Sequence, residues 1–180
     1  GVSLFIFLLK LRHDLGPFPL GEHELVLQLV DVVRIRAAGL KAFLDANNGA
    51  GGPLGKSLLK ALQVETVCQG GDADGFFLHE PEPTATNLSE VCPLVKKNGA
   101  DIGFALDPDS DRLALIDEAG RYVGEEYTLA LCADHWLASH PGPVVINCSS
   151  SRLTEDLAAR RKCPSYRSAV GEANVVDEML

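Results

Sequence analysis

The sequence predicts an α/β fold: a mixed sheet flanked by helices, followed by the opening of a second, similar α/β unit. Three observations carry that expectation. Short apolar runs alternate with helix-patterned segments along the chain, as strands joined by crossovers do. Leu44-Asp45-Ala46-Asn47-Asn48-Gly49-Ala50-Gly51-Gly52 passes from an apolar run through a glycine-rich turn toward a helix, the geometry of a parallel unit. Val144-Val145-Ile146-Asn147, with a serine turn before Arg152, repeats that opening later in the chain.

The elements follow in order. Leu4 to Leu11 is apolar and reads as one or two buried strands; it is too short to span a bilayer and lacks a basic flank and cleavage site. Glu22 to Ala37 is helical, with Leu25, Leu29 and Val32 on one face and Asp31 and Arg34 opposite. Ala42 to Leu44 is a strand ending at Asp45, Lys56 to Leu62 a helix, and Val64 to Cys68 the next strand. Glycines and prolines punctuate Gln69 to Thr86, which reads as loop. Asn87 to Asn98 reads as a helix capped by Thr86 or Asn87, kinked at Pro93 and closed by Gly99. Asp101 to Ala105 and Leu113 to Asp117 are strands. Glu125 to Ser139 is a helix with Leu129, Trp136 and Leu137 on its apolar side. After the break at His140-Pro141-Gly142-Pro143 come strand Val144–Asn147 and helix Arg152–Arg161, which Ser149-Ser150-Ser151 caps.

Composition narrows the function classes. At 180 residues with 46% hydrophobic content, the chain can bury a real core. A net charge of −9 argues against nucleic acid and anionic membrane as partners, though not against an anionic substrate beside a local cation. Five scattered cysteines with no C-x-x-C pair indicate neither a disulfide framework nor a zinc site, and a cytoplasmic location is expected. His79, His135 and His140 have no partner at metal spacing and read as surface or loop histidines.

The chemistry concentrates in Leu106-Asp107-Pro108-Asp109-Ser110-Asp111-Arg112. Three carboxylates at alternate positions repel one another, and a cation offsets that repulsion. An all-oxygen ligand set favours a hard ion, Mg²⁺ first. An EF-hand begins with the same alternation, and Glu118 falls at its position 12, but Arg112 occupies the position where that loop needs glycine. A merely solvated acidic turn needs neither the arginine nor the flanking apolar strands. Arg112 beside a cation implies a bound phosphate oxygen or a carboxylate network. The glycine turn at Asn47 to Gly52 is a weaker candidate for phosphate, since it lacks P-loop and dinucleotide spacing.

These residues resemble the α-D-phosphohexomutase family of phosphoglucomutases, phosphomannomutases and phosphoglucosamine mutases. Asp107, Asp109, Asp111 and Arg112 match its magnesium loop, D-x-D-x-D-R. Leu44 to Gly52 is similar to the opening of its second domain. His79-Glu80-Pro81-Glu82-Pro83-Thr84 is similar to its N-P-E-P-T segment, with Glu80 in place of asparagine. Gly124 to Ala130 resembles the segment after its metal hairpin, and Val170 to Val176 an early stretch of its third domain.

The resemblance implies phosphoryl transfer between the 1- and 6-positions of a hexose or hexosamine phosphate through an enzyme phosphoserine. Asp107, Asp109 and Asp111 would hold Mg²⁺, and Arg112 would act catalytically on the phosphoryl group. No T-A-S-H-N-P phosphoserine string occurs, Ser3 is a poor substitute, and Glu172 lies too early for the family's sugar-reading G-E signature. The resemblance therefore implies an interior piece, inactive alone: 1–38 as the tail of a first domain and linker helix, 39–140 as the metal-binding α/β domain, and 141–180 as the start of a further, incomplete α/β domain. A non-catalytic metal-binding α/β module is the alternative.

Overall fold

A computed structural model describes residues 31–180, so the apolar run at Leu4–Leu11 and most of the helix expected from Glu22 lie outside the described residues. Residues 31–37 are helical. The chain divides into two compact units at Glu125–Glu126, ahead of the proline break at 141–143.

The first unit is built on a four-stranded sheet in the order β2-β1-β3-β4. Strand β1 (Lys41–Asp45) pairs in parallel with β2 (Glu65–Gln69) and with β3 (Ile102–Leu106), and β3 pairs antiparallel with β4 (Leu113–Asp117). The sheet is therefore mixed, with β1 and β3 inside. Side chains alternate across it. Ala42, Leu44, Leu113 and Leu115 pack on one face with Leu59 of helix α1 (Gly52–Ala61). Phe43, Ala114 and Ile116 pack on the other with Leu88 and Val95, the latter from helix α2 (Cys92–Lys97). Each fully buried aliphatic residue such as Leu88 or Ile116 contributes about 1.5–3 kcal/mol by leaving water.

Three sequence expectations shift here. Helix α1 starts at Gly52 rather than Lys56, because Pro53 in the first turn presets helical φ and lacks only an N–H that would be unbonded there. Helix α2 starts at Cys92, not Asn87: Pro93 sits in its first turn and kinks nothing, while residues 85–91 form turns. Neither Thr86 nor Asn87 caps α2, whose N-cap position is Val91 and which has no side-chain cap; Thr84 Oγ1 accepts from the Asn87 amide at 3.3 Å in the turns ahead of it.

In the second unit, β5 (Val144–Asn147) pairs in parallel with β6 (Ser165–Ser168). Helices α3 (Glu125–Ser139), α4 (Leu153–Arg160) and α5 (Glu172–Met179) complete the described elements. Leu137, Ala158 and Cys163 form its small core with Val144 and Leu157. Trp136 is not in that core: it is 38% exposed and stacks on His140, ring centroids 4.1 Å apart. Ser151 caps α4, its Oγ accepting from the Leu153 amide. The fold is thus the expected mixed α/β sheet flanked by helices, with a second, smaller sheet beginning another unit. No described helix is long and apolar enough to cross a membrane.

Candidate metal centre

Asp45 ends β1, and Asp107 follows the last residue of β3, so both sit at the carboxyl edge of parallel strands, where α/β sheets place their ligands. The β3–β4 hairpin closes with Leu106 opposite Leu113, and residues 107–112 form its loop. Ser110 adopts φ 64°, which turns the chain back toward β4.

Carboxylate oxygens of Asp107, Asp109 and Asp111 all lie within 4.8 Å of one another. The Asp107 side chain is 1% exposed, and those of Asp109 and Asp111 face solvent. Arg112 satisfies the buried carboxylate twice: its amide donates to Asp107 Oδ1 at 3.0 Å and its Nε to Oδ2 at 2.9 Å. Arg112 Nη1 donates to Glu82 Oε1 at 3.2 Å, and Asp111 Oδ1 lies 3.8 Å from Nε. The carboxylate network foreseen as one role for Arg112 is therefore present. The Arg112 side chain is 39% exposed.

The titration tendencies follow from this crowding. Burial pushes the Asp107 carboxyl up, but the Arg112 amide, the Arg112 guanidinium and the Asp111 carboxyl outweigh it and hold it below the ordinary aspartate value. Asp111 moves the other way, raised first by its hydrogen bond with Asp107, then by burial, then by the charges of Asp107 and Asp109. One carboxylate is thus held ionised, and a second is held near its neighbours at an electrostatic cost. An all-oxygen cluster with uncompensated repulsion has the donor chemistry of a hard divalent cation.

Behind the loop lies a second polar assembly that sequence reasoning missed. His79 is not a lone loop histidine: its Nε2 lies 2.7 Å from Oδ2 of Asp45, whose side chain is 1% exposed. Its Nδ1 lies 2.8 Å from the Glu80 carbonyl oxygen. Asn47 accepts from the amides of Leu78 and His79 and donates to the His79 carbonyl. This clamp presents residues 80–83, and with them Glu82, to Arg112. The available signal was Asp45 itself, since a carboxylate at a buried strand end demands donors. The glycine turn offers little to a phosphate: the amides of residues 48, 49, 50 and 52 already bond to Gly70, Ala46, Pro108 and Gly49 carbonyls.

The family description for phosphoglucomutase/phosphomannomutase, alpha/beta/alpha domain II, matches residues 23–120, and that for domain III matches residues 124–180. The chain belongs to the phosphoglucomutase/phosphomannomutase family. A phosphoglucomutase/phosphomannomutase of Thermococcus kodakarensis is 35% identical over 159 residues, covering 87% of this chain and 35% of that protein. A phosphoglucosamine mutase of Sulfurovum is 34% identical over 145 residues, covering 79% of this chain and 32% of that one. The crystal structure of a family protein from Burkholderia thailandensis superposes with a TM-score of 0.70 at 30% identity, over 85% of this chain and 35% of that one. The chain spans about a third of the length of these relatives.

Proposed function

We propose that this chain is the magnesium-binding portion of a phosphohexomutase, which moves a phosphoryl group between the 1- and 6-positions of a hexose or hexosamine phosphate through an enzyme phosphoserine. The observation that carries the reading is the clustering of Asp107, Asp109 and Asp111 oxygens within 4.8 Å on a strand-end loop, with Arg112 beside them. Bound by these carboxylates, Mg²⁺ would offset negative charge on the transferring phosphoryl group and help orient it. Arg112 orients Asp107 through two hydrogen bonds and turns its open guanidinium surface toward an incoming phosphoryl oxygen. Glu82 holds the far end of that guanidinium, limiting its rotation. Hexose phosphate is the substrate class, neither nucleic acid nor membrane is a partner, and the five unpaired thiols suit the cytoplasm.

The test is interconversion of hexose 1- and 6-phosphates. A longer protein carrying this chain together with the phosphoserine segment is expected to turn over, and Asp109→Asn in it to remove most of that activity. The 180-residue chain alone is expected to be inert even with a hexose 1,6-bisphosphate supplied, because it holds no T-A-S-H-N-P segment. Full activity in Asp109→Asn, or turnover by the chain alone, would contradict the proposal.

A further inference from the structure

The string Asp107-Pro108-Asp109-Ser110-Asp111 alternates two kinds of residue, and the intervening ones, Pro108 and Ser110, meet the glycine turn after β1. The Ala50 amide donates to the Pro108 carbonyl at 2.8 Å. A Cβ on Gly49 would lie 2.7 Å from Pro108 O and 2.8 Å from its Cα, both backbone atoms that cannot step aside. A Cβ on Gly51 would fall on Ser110 Oγ and lie 2.9 Å from Ser110 Cβ and 2.8 Å from Leu106 Cδ1. Backbone therefore packs directly against the non-acidic positions of the loop, with no side chain between.

A support must itself be fixed, and the far side of this turn is. The Asn48 amide donates to the Gly70 carbonyl at 2.7 Å, and the Asn47 amide to Asp45 Oδ1 at 3.1 Å. The Gly75 amide bonds the Asn48 carbonyl at 3.0 Å, and the Asn47 side chain makes three further bonds to Leu78 and His79. Asp109 and Asp111 are both exposed on the solvent side of the loop.

We propose that Gly49 and Gly51 are positioning residues for the aspartate loop: the bare backbone of the turn seats Pro108 and Ser110, and so sets the spacing of the three carboxylates and their affinity for a divalent cation. This rests on the metal-binding reading above. It assigns the glycine turn a task other than phosphate binding.

The test is Mn²⁺ affinity of the 180-residue chain, read by electron paramagnetic resonance alongside a melting curve. Gly51→Ala is expected to weaken Mn²⁺ binding by about tenfold, the scale of lost outer support at metal sites. Gly51→Ala combined with Ser110→Gly is expected to regain wild-type affinity, because the obstructed Oγ and Cβ are gone and the remaining neighbour, Leu106 Cδ1 at 2.8 Å, is a side-chain end that a small rotation moves aside. A general loss of packing would not be repaired by shortening Ser110. Gly55→Ala, which crowds the Leu44 side chain rather than the turn or the loop, should leave affinity unchanged. Wild-type affinity in Gly51→Ala, or a loss that Ser110→Gly does not recover, would overturn the proposal. Should Gly51→Ala prove too unstable to titrate, the double variant decides: wild-type affinity supports the seat, and a double variant that also fails to fold overturns it. Asp109→Asn separates the two readings, since wild-type affinity there would remove the metal site itself.

Discussion

Arg112 stands between two roles that a substitution can separate. It bonds Asp107 through Nε and Glu82 through Nη1, so its planar fork matters as well as its charge. In a protein that turns over, Arg112→Lys is expected to lower kcat by roughly 30–150-fold, the equivalent of about 2–3 kcal/mol of lost charge-assisted contact. Recovery of kcat at saturating Mg²⁺ would instead make the arginine a holder of Asp107 only. Asp111 carries the complementary prediction. Its carboxyl is crowded by Asp107 and Asp109, so Asp111→Asn should raise the melting temperature of the metal-free chain while weakening cation binding. A lower melting temperature would show that the repulsion is not felt. At this scale the aspartates and Arg112 were legible because their chemistry is local in sequence. Glu82 and the Asp45–His79 pair were not, because the partners lie 30 and 34 residues apart.

Turns and caps decide where elements begin, and there sequence signals were partly legible. The span Glu125–Ser139 and the span Val144–Asn147 emerge where hydrophobic pattern and flanking breaks agree. Strand β6, Ser-Tyr-Arg-Ser, did not announce itself, since three of its four residues are exposed and it carries no apolar run. Its attachment to α4 is polar, with Arg167 donating through Nε and Nη2 to the two Glu155 oxygens at 2.7 and 2.8 Å. The turn after β4 gives a pH prediction. Asp117 Oδ1 accepts from the Ala119 and Arg121 amides at 3.0 and 2.8 Å, and Oδ2 from Arg121 Nε at 2.7 Å. The Arg121 amide first, joined by the Arg121 guanidinium and the Ala119 amide, holds the Asp117 carboxyl below the ordinary aspartate value against the opposing effect of burial. A carboxyl lowered in the folded state adds stability above its unfolded value of about 3.9, and that stability fades as pH falls through the folded value. Asp117→Asn should therefore melt below wild type at neutral pH, with the gap closing in acid. A gap that is constant with pH would assign the effect to shape rather than charge.

At the scale of the whole molecule, the proposed function brings an anionic sugar phosphate to a chain of net charge −9, and a local cation would reconcile the two. The architecture supplies the place: parallel strands β1 and β3 end side by side, and the aspartate loop leaves from that edge. The class of fold and the loop were readable because periodicity and acidic spacing are written in consecutive residues. The seating of that loop on the glycine turn was not, because it depends on the absence of side chains at Gly49 and Gly51, which sequence shows only as a turn. The most direct measurement is a calorimetric Mg²⁺ titration of the chain against Asp109→Asn. Saturable binding by the wild type, weakened by about tenfold or more in Asp109→Asn, is expected. Identical titration curves from the two proteins would contradict a metal centre at Asp107, Asp109 and Asp111.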